Sequence, residues 1–239
     1  MADIKIKMEN ISKVFETEEM ETYALKNVSL VISTGDYVSI SGPSGCGKST
    51  LLSILGLLDM PSRGEYIIED MNVANLSLDE AAEIRCKKIG FVFQSFNLID
   101  DISVFDNVAL PLRYRSDKLS VKEIEQRVKN CLDKVNMSHR IQHKPNQLSG
   151  GQQQRVAIAR ALVADPAILL VDEATGNLDS TTGDQIMDLL DELNRKGTTI
   201  CMVTHESQYA CRARTQLKLL DGEISSTPIQ QESKHLLNA

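Results

Sequence analysis

The 239-residue sequence contains no Trp, and its other shortages narrow the field before any motif is read. Positive charge is scarce: the formal net charge is -7, so the electrostatic footprint of a nucleic-acid binder is missing from the whole-chain balance and no nucleic-acid partner is expected. Cysteine pairing is absent as well. The five Cys (Cys46, Cys86, Cys131, Cys201, Cys211) form an odd set without C-x-x-C spacing, which argues against a disulfide framework or a zinc site and predicts five free thiols in a reducing compartment. No apolar run reaches the length needed to span a bilayer, and the charged stretch from Met1 to Met8 lacks the apolar core of a signal peptide. Any membrane role must then run through a partner. His139 and His143 stand four apart with no carboxylate or Cys at metal-site spacing, and read as a solvated pair at a helix end.

What is present is a chain with 42% hydrophobic residues, long enough to bury a full core as one α/β domain with an inserted subdomain. Its organising stretch is Gly42-Pro43-Ser44-Gly45-Cys46-Gly47-Lys48-Ser49-Thr50, which fits G-x-x-x-x-G-K-[ST]. An alternating apolar run (Tyr37, Val38, Ile40) precedes it and a helical run (Leu51 to Leu58) follows, which predicts strand, phosphate loop and helix. Glycines let successive N–H groups turn inward onto a phosphate, and the positive end of the helix adds to the attraction. Lys48 is placed to reach the β- and γ-phosphates of ATP, and the Ser49 hydroxyl to hold Mg²⁺.

Upstream, Ile4, Ile6 and Met8, then Val28, Leu30 and Ile32, alternate with polar residues and predict two strands separated by an acidic loop at Glu16 to Glu21. Tyr23, just ahead of the second strand, is either a strand-edge aromatic or a stacking surface for adenine. Downstream, turn chemistry at Asp59 to Gly64 leads to a strand at Glu65 to Ile68, and Ser77 with Glu80 forms a capping box. Gln94 ends the strand Ile89 to Phe93, at the crevice where α/β folds bind ligands, or simply caps that strand. From Phe96 to about Ala164 the texture turns helical, over Val104 to Tyr114 and Val121 to Val135, with a second capping box at Ser120 and Glu123.

Leu148-Ser149-Gly150-Gly151-Gln152 opens a further helix and is built like an anion site without a lysine, or like an ordinary Ser cap. If it serves a nucleotide, the economical geometry is a two-fold dimer in which each Ser149 end covers the partner's phosphate loop. Ala167 to Glu173 is a continuous apolar run ending in two acids, the pattern of a parallel strand buried on both faces. Asp172 at its tip belongs on Mg²⁺ or its waters, as in a Walker B element, and Glu173 beside it can polarise the attacking water as general base. Thr198 to Val203 repeats the buried-strand pattern and ends at Thr204-His205, where His205 is a γ-phosphate sensor or a structural histidine.

These motifs, with Gly176-Asn177-Leu178-Asp179, stand in the order and spacing of the ABC transporter ATPases, and the sequence resembles that family over nearly its whole length. The wording around the motifs (Gly90 to Gln94, Asn107 to Leu112, His143 to Leu148, Thr175 to Asp179) is similar to the branch of lipoprotein-release, macrolide-efflux and antimicrobial-peptide exporters. The resemblance implies an α/β P-loop NTPase (RecA-like) core with a mixed sheet and N-terminal antiparallel strands, formed by 1–94 and 165–227. It also implies an inserted helical subdomain at 95–164 and a loosely held tail at 228–239. By the same resemblance Tyr23 is the adenine stacker and Gln94 touches Mg²⁺ and reports to the membrane subunit. Ser149, Gly150, Gly151, Gln152 and Asp179 reach the nucleotide across a dimer, Asp172 is the magnesium carboxylate, Glu173 the base and His205 the γ-phosphate switch. The implied function is ATP hydrolysis that energises a separate integral membrane permease, with a homodimer forming on ATP, in the cytoplasm at the inner face of the membrane. Coupling to an extracytoplasmic enzyme and, as a third choice, a soluble ATPase on nucleic acid are the alternatives. Phe96, Leu98, Ile99 and Phe105 are either a groove for a permease helix or part of the subdomain core.

Overall fold

The computed structural model describes residues 3–16 and 20–225, so the expected tail at 228–239 lies outside the described residues. Two strands open the chain, β1 (Ile4–Glu16) and β2 (Glu21–Ser33), and they pair antiparallel along their lengths from Ile4↔Ser33 to Glu16↔Glu21. Both run further than the alternation predicts, and Tyr23 lies inside β2 rather than ahead of it. The extension is possible because the pairing passes through register breaks between Met8 and Val14, where Asn10 and Asn27 take up left-handed backbone (φ 53° and 50°) that Asn tolerates well. Such bulges absorb the polar residues that interrupt strict alternation.

β3 (Tyr37–Ser41) leads through the glycine loop into α1 (Lys48–Leu55), and β4 (Arg63–Ile68) and β5 (Met71–Asn72) then join β1 to complete a sheet of order β2-β1-β4-β5. β4 begins two residues earlier than its apolar run. After α2 (Leu78–Lys88) and β6 (Ile89–Val92) come three helices, α3 (Val104–Arg113), α4 (Val121–Lys134) and α5 (Gly150–Leu162). The chain returns through β7 (Ile168–Asp172), α6 (Ser180–Arg195), β8 (Ile200–Val203), the short α7 (Ser207–Ala210), β9 (Thr215–Leu220) and β10 (Glu223–Ile224). The second sheet has the order β10-β9-β3-β8-β7-β6, parallel from β9 to β6.

This parallel sheet is buried on both faces, as its apolar strands require. Leu169 and Val171 of β7, with Ile200 and Met202 of β8, join a core that includes Val108 of α3, Leu132 of α4, Ile158 of α5 and Ile186 of α6. The alternate residues Ile168, Leu170, Cys201 and Val203 face a second core with α1 and the antiparallel sheet, among them Leu51, Leu55, Ile6, Met8 and Tyr66. Three layers result, with the parallel sheet in the middle. Each such fully buried aliphatic side chain contributes on the order of 1.5–3 kcal/mol. Helices α2, α3, α4, α5 and α6 start at side chains that cap them: Ser77, Ser103, Ser120, Ser149 and Asp179. α1 starts at Gly47 and has no capping side chain.

Candidate functional site

The strand order decides which motifs meet. β3, β8, β7 and β6 are successive parallel neighbours, so their carboxyl ends present, side by side, the loop 42–47, then Thr204-His205, then Asp172-Glu173, then Gln94. At about 4.8 Å per strand, Asp172 lies roughly 10 Å across the sheet from the strand that feeds the phosphate loop. Four motifs spread from Gly42 to His205 in the sequence are thereby brought side by side beyond the strand ends, where open α/β sheets bind ligands.

Within the loop, Gly45 and Gly47 have positive φ (79° and 102°), and a Cβ on Gly47 would sit 2.4 Å from the Ala24 carbonyl oxygen of β2. The uncapped first turn of α1 opens onto this loop, leaving backbone donors free for an anion. Lys48 Nζ donates to the carbonyls of Gly42 and Pro43 at 2.8 Å each, so the ammonium bridges the mouth of the loop. Pro43, Ser44, Gly45 and Ser49 are exposed, Thr50 is half-buried and Cys46 is buried, 3% exposed, with its Sγ among core residues of the α1 layer. Cys46 is therefore not the accessible thiol its place in a phosphate loop implies. Its carbonyl accepts from Gly222 N at 3.1 Å, and Gly222 O accepts from Lys26 N at 2.8 Å, so the β9–β10 turn clasps the loop to β2.

Across the crevice, burial and the neighbouring Glu173 push the Asp172 carboxyl above its ordinary pKa. Among the described residues no cation pairs with Asp172, which makes this half-buried acid a ready ligand for Mg²⁺. Glu173 has φ 44°, a left-handed backbone that a non-glycine residue adopts at a cost of about 1–3 kcal/mol. Its amide donates to Val203 O at 3.0 Å and its Oε1 lies 2.9 Å from His205 Nδ1, so the strained turn aims the carboxylate at the imidazole on the adjacent strand. The uncapped loop, the lysine and the unpaired carboxylate fit a nucleoside triphosphate with its magnesium.

Gln94 is held against the turn after β7. Its Nε2 lies 3.5 Å from Asn177 Oδ1, and Asn177 Nδ2 donates to Gln94 O at 3.1 Å. The next residues, Phe96 and Asn97, both have positive φ (59° and 50°), and the Arg160 guanidinium donates to both of their carbonyls. Ser149 caps α5 in a box with Gln152: its Oγ accepts from Gln152 N, and Gln152 Oε1 accepts from Ser149 N at 3.0 Å. Gly151 abuts α6, where a Cβ would lie 2.4 Å from Thr182 Cγ2, and Gly150 packs by Leu178 and Phe96. Asp179 caps α6 through Thr182, which holds its carboxyl below the usual range. Among the described residues no hydrogen bond joins Ser149–Gln152 or Asp179 to the loop 42–50. Tyr23 is 51% exposed and its hydroxyl donates to Glu21 at 3.2 Å, while Phe15, 46% exposed, offers another aromatic face on the paired strand.

Beside the Gln94 loop lies a cavity of about 290 Å³ lined by Gly90, Phe91, Phe93, Leu110, Pro111 and Tyr114 among others. Phe91 and Phe93 stack at 4.3 Å, and Tyr114 is 75% exposed. Of the residues proposed for a groove, Leu98 and Phe105 pack on the core instead and Ile99 is exposed. His143 Nε2 lies 2.9 Å from Arg140 Nη1, and among the described residues no group of three or more metal-ligating side chains gathers around His139 and His143.

A family model described as ABC transporter matches residues 25–176, well over half of the chain, including the phosphate loop, Gln94 and Asp172-Glu173 but not Thr204-His205. The chain belongs to the ABC transporter family. It is 50% identical over 92% of its length to the uncharacterized ABC transporter ATP-binding protein MJ0796 of Methanocaldococcus jannaschii, covering 94% of that protein. It is also 47% identical over 95% of its length to the macrolide export ATP-binding/permease protein MacB of Bdellovibrio bacteriovorus, but spans only 34% of that longer protein. Among solved structures, the post-hydrolysis dimer of the MJ0796 cassette bound to ADP and Pi matches with a TM-score of 0.83 at 45% identity, over 95% of this chain and 100% of that one. The chain is thus an ABC ATPase cassette with the P-loop NTPase fold, and its substrate ATP and accompanying Mg²⁺ follow from the family and the site.

The motif residues are legible in the sequence, whereas the groups that hold them in place emerge from the fold: Asn177 on Gln94, Arg160 on the Phe96 and Asn97 carbonyls, Gln154 between the loops and Gly222 on Cys46. Two of these left a trace: Asn177 stands inside the Gly176-Asn177-Leu178-Asp179 motif, and Gln154 is a polar residue on an otherwise apolar helical face.

Proposed function

We propose that this cassette hydrolyses ATP as a two-fold dimer and drives a membrane permease of the exporter type. The observation that carries this reading is the division of phosphate-seeking ends. The loop 42–50 and the acids Asp172 and Glu173 share one crevice, whereas the Ser149 end opens elsewhere and has no hydrogen bond to that loop. A second copy related by two-fold symmetry would bring its Ser149, Gly150, Gly151, Gln152 and Asp179 over the first copy's loop. The solved MJ0796 cassettes are dimeric, which supports this arrangement.

In this reading the α1 terminus and Lys48 position the phosphates, Ser49, Gln94 and Asp172 would hold the magnesium, and Glu173 takes a proton from the attacking water. His205, now paired with Glu173, orients that base and meets the γ-phosphate. Magnesium held there would supply charge neutralisation to the phosphates. Catalysis rests on positioning and charge, because phosphoryl transfer asks for little covalent chemistry from the protein. Adenine stacks on Tyr23; the exposed Phe15 is the competing platform, and the larger rise in KM for ATP between Tyr23→Ala and Phe15→Ala identifies which ring is used.

The cavity beside Gln94, edged by Phe91, Phe93 and Tyr114, receives a helix of the permease, and the segment 95–164 then moves as a unit against 1–94 with 165–227. MacB relatives named ATP-binding/permease proteins support that partner class. Among the described residues no helix is long and apolar enough to cross a membrane, so attachment at the cytoplasmic face runs through the permease. Glu173→Gln keeps the side-chain shape, removes the base and should trap an ATP-bound dimer on sizing chromatography. Only monomer with ATP, at concentrations where Mg-ATP is saturating, refutes the dimer.

A further inference from the structure

Gln154 has no part in the chemistry above, yet it occupies the centre of the site's scaffold. It lies on α5 five residues beyond Ser149, is 0% exposed, and has Val156, Ala157 and Ile158 as buried neighbours in the chain. Its Nε2 donates to the Ala174 carbonyl at 2.9 Å and to the Phe93 carbonyl at 3.4 Å. Its Oε1 is buried with no hydrogen-bond partner. Exchanging the amide oxygen and nitrogen would set an oxygen against two carbonyl oxygens, so the orphan is inherent in the arrangement. An unpaired buried acceptor costs about 1–3 kcal/mol; a methionine of similar length would remove that acceptor but would leave the buried Ala174 carbonyl without its donor, at a similar cost. The orphan acceptor and the donated bonds nearly offset, so the glutamine gains little net stability over a methionine.

The two carbonyls it holds flank the site. Ala174 follows Glu173, whose own backbone is strained, and Phe93 precedes Gln94. One turn away on the same helix is the Ser149 end, which under the dimer reading serves the partner's nucleotide. We propose that Gln154 is a positioning residue that ties the helix serving one nucleotide to the base and the glutamine loop serving the other. When α5 shifts on meeting the partner's phosphate, the amide transmits that shift to the Ala174 and Phe93 carbonyls and so sets Glu173 and Gln94. The inference rests on the dimer reading and adds a route of communication between its two sites.

Gln154→Met tests it in the full-length chain. The expected result is a melting temperature within a few degrees of the parent's, since the orphan acceptor removed and the donor lost to Ala174 offset each other, a KM for ATP little changed, kcat lower by roughly 10- to 100-fold, as misplacement of catalytic groups produces, and loss of cooperativity in ATP. A kcat within twofold of the parent, or a kcat loss that merely tracks a fall in melting temperature, overturns the proposal. Gln154→Glu provides the independent arm. Its neutral carboxyl retains a donor for the Ala174 carbonyl and its carboxylate does not, so its activity relative to the parent should rise as pH falls. A ratio flat with pH overturns the proposal. In the Glu173→Gln background, a missing ATP-bound dimer condemns the dimer reading, whereas an intact dimer with unchanged Gln154→Met turnover condemns the role of Gln154 alone.

Discussion

Adding one methyl group at Gly47 should destabilise the fold far more than adding one at Gly45, although both glycines belong to the same loop and both have positive φ. At Gly45 (φ 79°) a Cβ meets nothing within 4 Å, so Gly45→Ala carries only the backbone cost of a left-handed alanine, about 1–2 kcal/mol. At Gly47 (φ 102°) the Cβ would lie 2.4 Å from Ala24 O and 3.1 Å from Leu25 Cδ2, where real Cβ atoms essentially never come within 3.0 Å. Strand or loop must therefore yield by at least about 0.6 Å. The carbonyl cannot retreat cheaply, because β2 is pinned beside it by the bond from Lys26 N to Gly222 O and by its pairing with β1. Such overpacking adds about 1–3 kcal/mol to the strain. For a chain of this size that difference separates the two melting temperatures by roughly 3–10 °C. Differential scanning calorimetry without nucleotide, supported by urea midpoints, measures it. Equal destabilisation of the two variants within about 0.5 kcal/mol would refute the close approach of the loop to β2, since that contact and the larger φ at Gly47 both act to make Gly47→Ala the costlier change.

Three further outcomes follow from the same geometry. Asp172→Asn should raise the melting temperature of the nucleotide-free protein while abolishing Mg-dependent hydrolysis. The folded state raises the pKa of Asp172, so its contribution to stability is present at low pH and is lost as pH rises through that raised value; the amide removes the loss. A lower melting temperature at neutral pH would contradict this. Cys211 is exposed and Cys86 partly so, while Cys46, Cys131 and Cys201 are buried, so maleimide should label Cys211 first and Cys46 only as the fold opens; rapid loss of activity through Cys46 would contradict its burial. Tyr66→Phe leaves the Leu55 carbonyl, which accepts from the buried Tyr66 hydroxyl at 2.6 Å, without its donor, and should cost about 1–3 kcal/mol by urea unfolding; an unchanged midpoint would mean that the bond carries no net stability.

Much of the site could be read from the chain because its parts are local. A phosphate loop needs Gly42 to Ser49 in one continuous stretch between a strand and a helix, and the residues that shape it are the residues that do its work. The same holds for Asp172 and Glu173, announced by the apolar run they terminate, and for Ser149, legible as a helix cap, to which the structure adds the reciprocal bond from Gln152. Tyr23 was harder to place. The alternation that marks a strand fails where bulges intervene, so the reach of β1 and β2 beyond it depends on pairing that no local pattern records.

By itself, then, the sequence determined the motifs, their order and the chemistry each residue type permits, since phosphate binding, capping and buried parallel strands all leave short-range signatures. The tertiary structure decided which of them meet. Only the strand order β3-β8-β7-β6 sets His205 beside Glu173 and Gln94 beside Asn177, and only packing buries Cys46 and places Gln154 between the Phe93 and Ala174 carbonyls. The physical reason is that these contacts join residues far apart in the chain, where long-range packing and hydrogen-bond satisfaction set the geometry and the local propensity of either partner carries no trace of it.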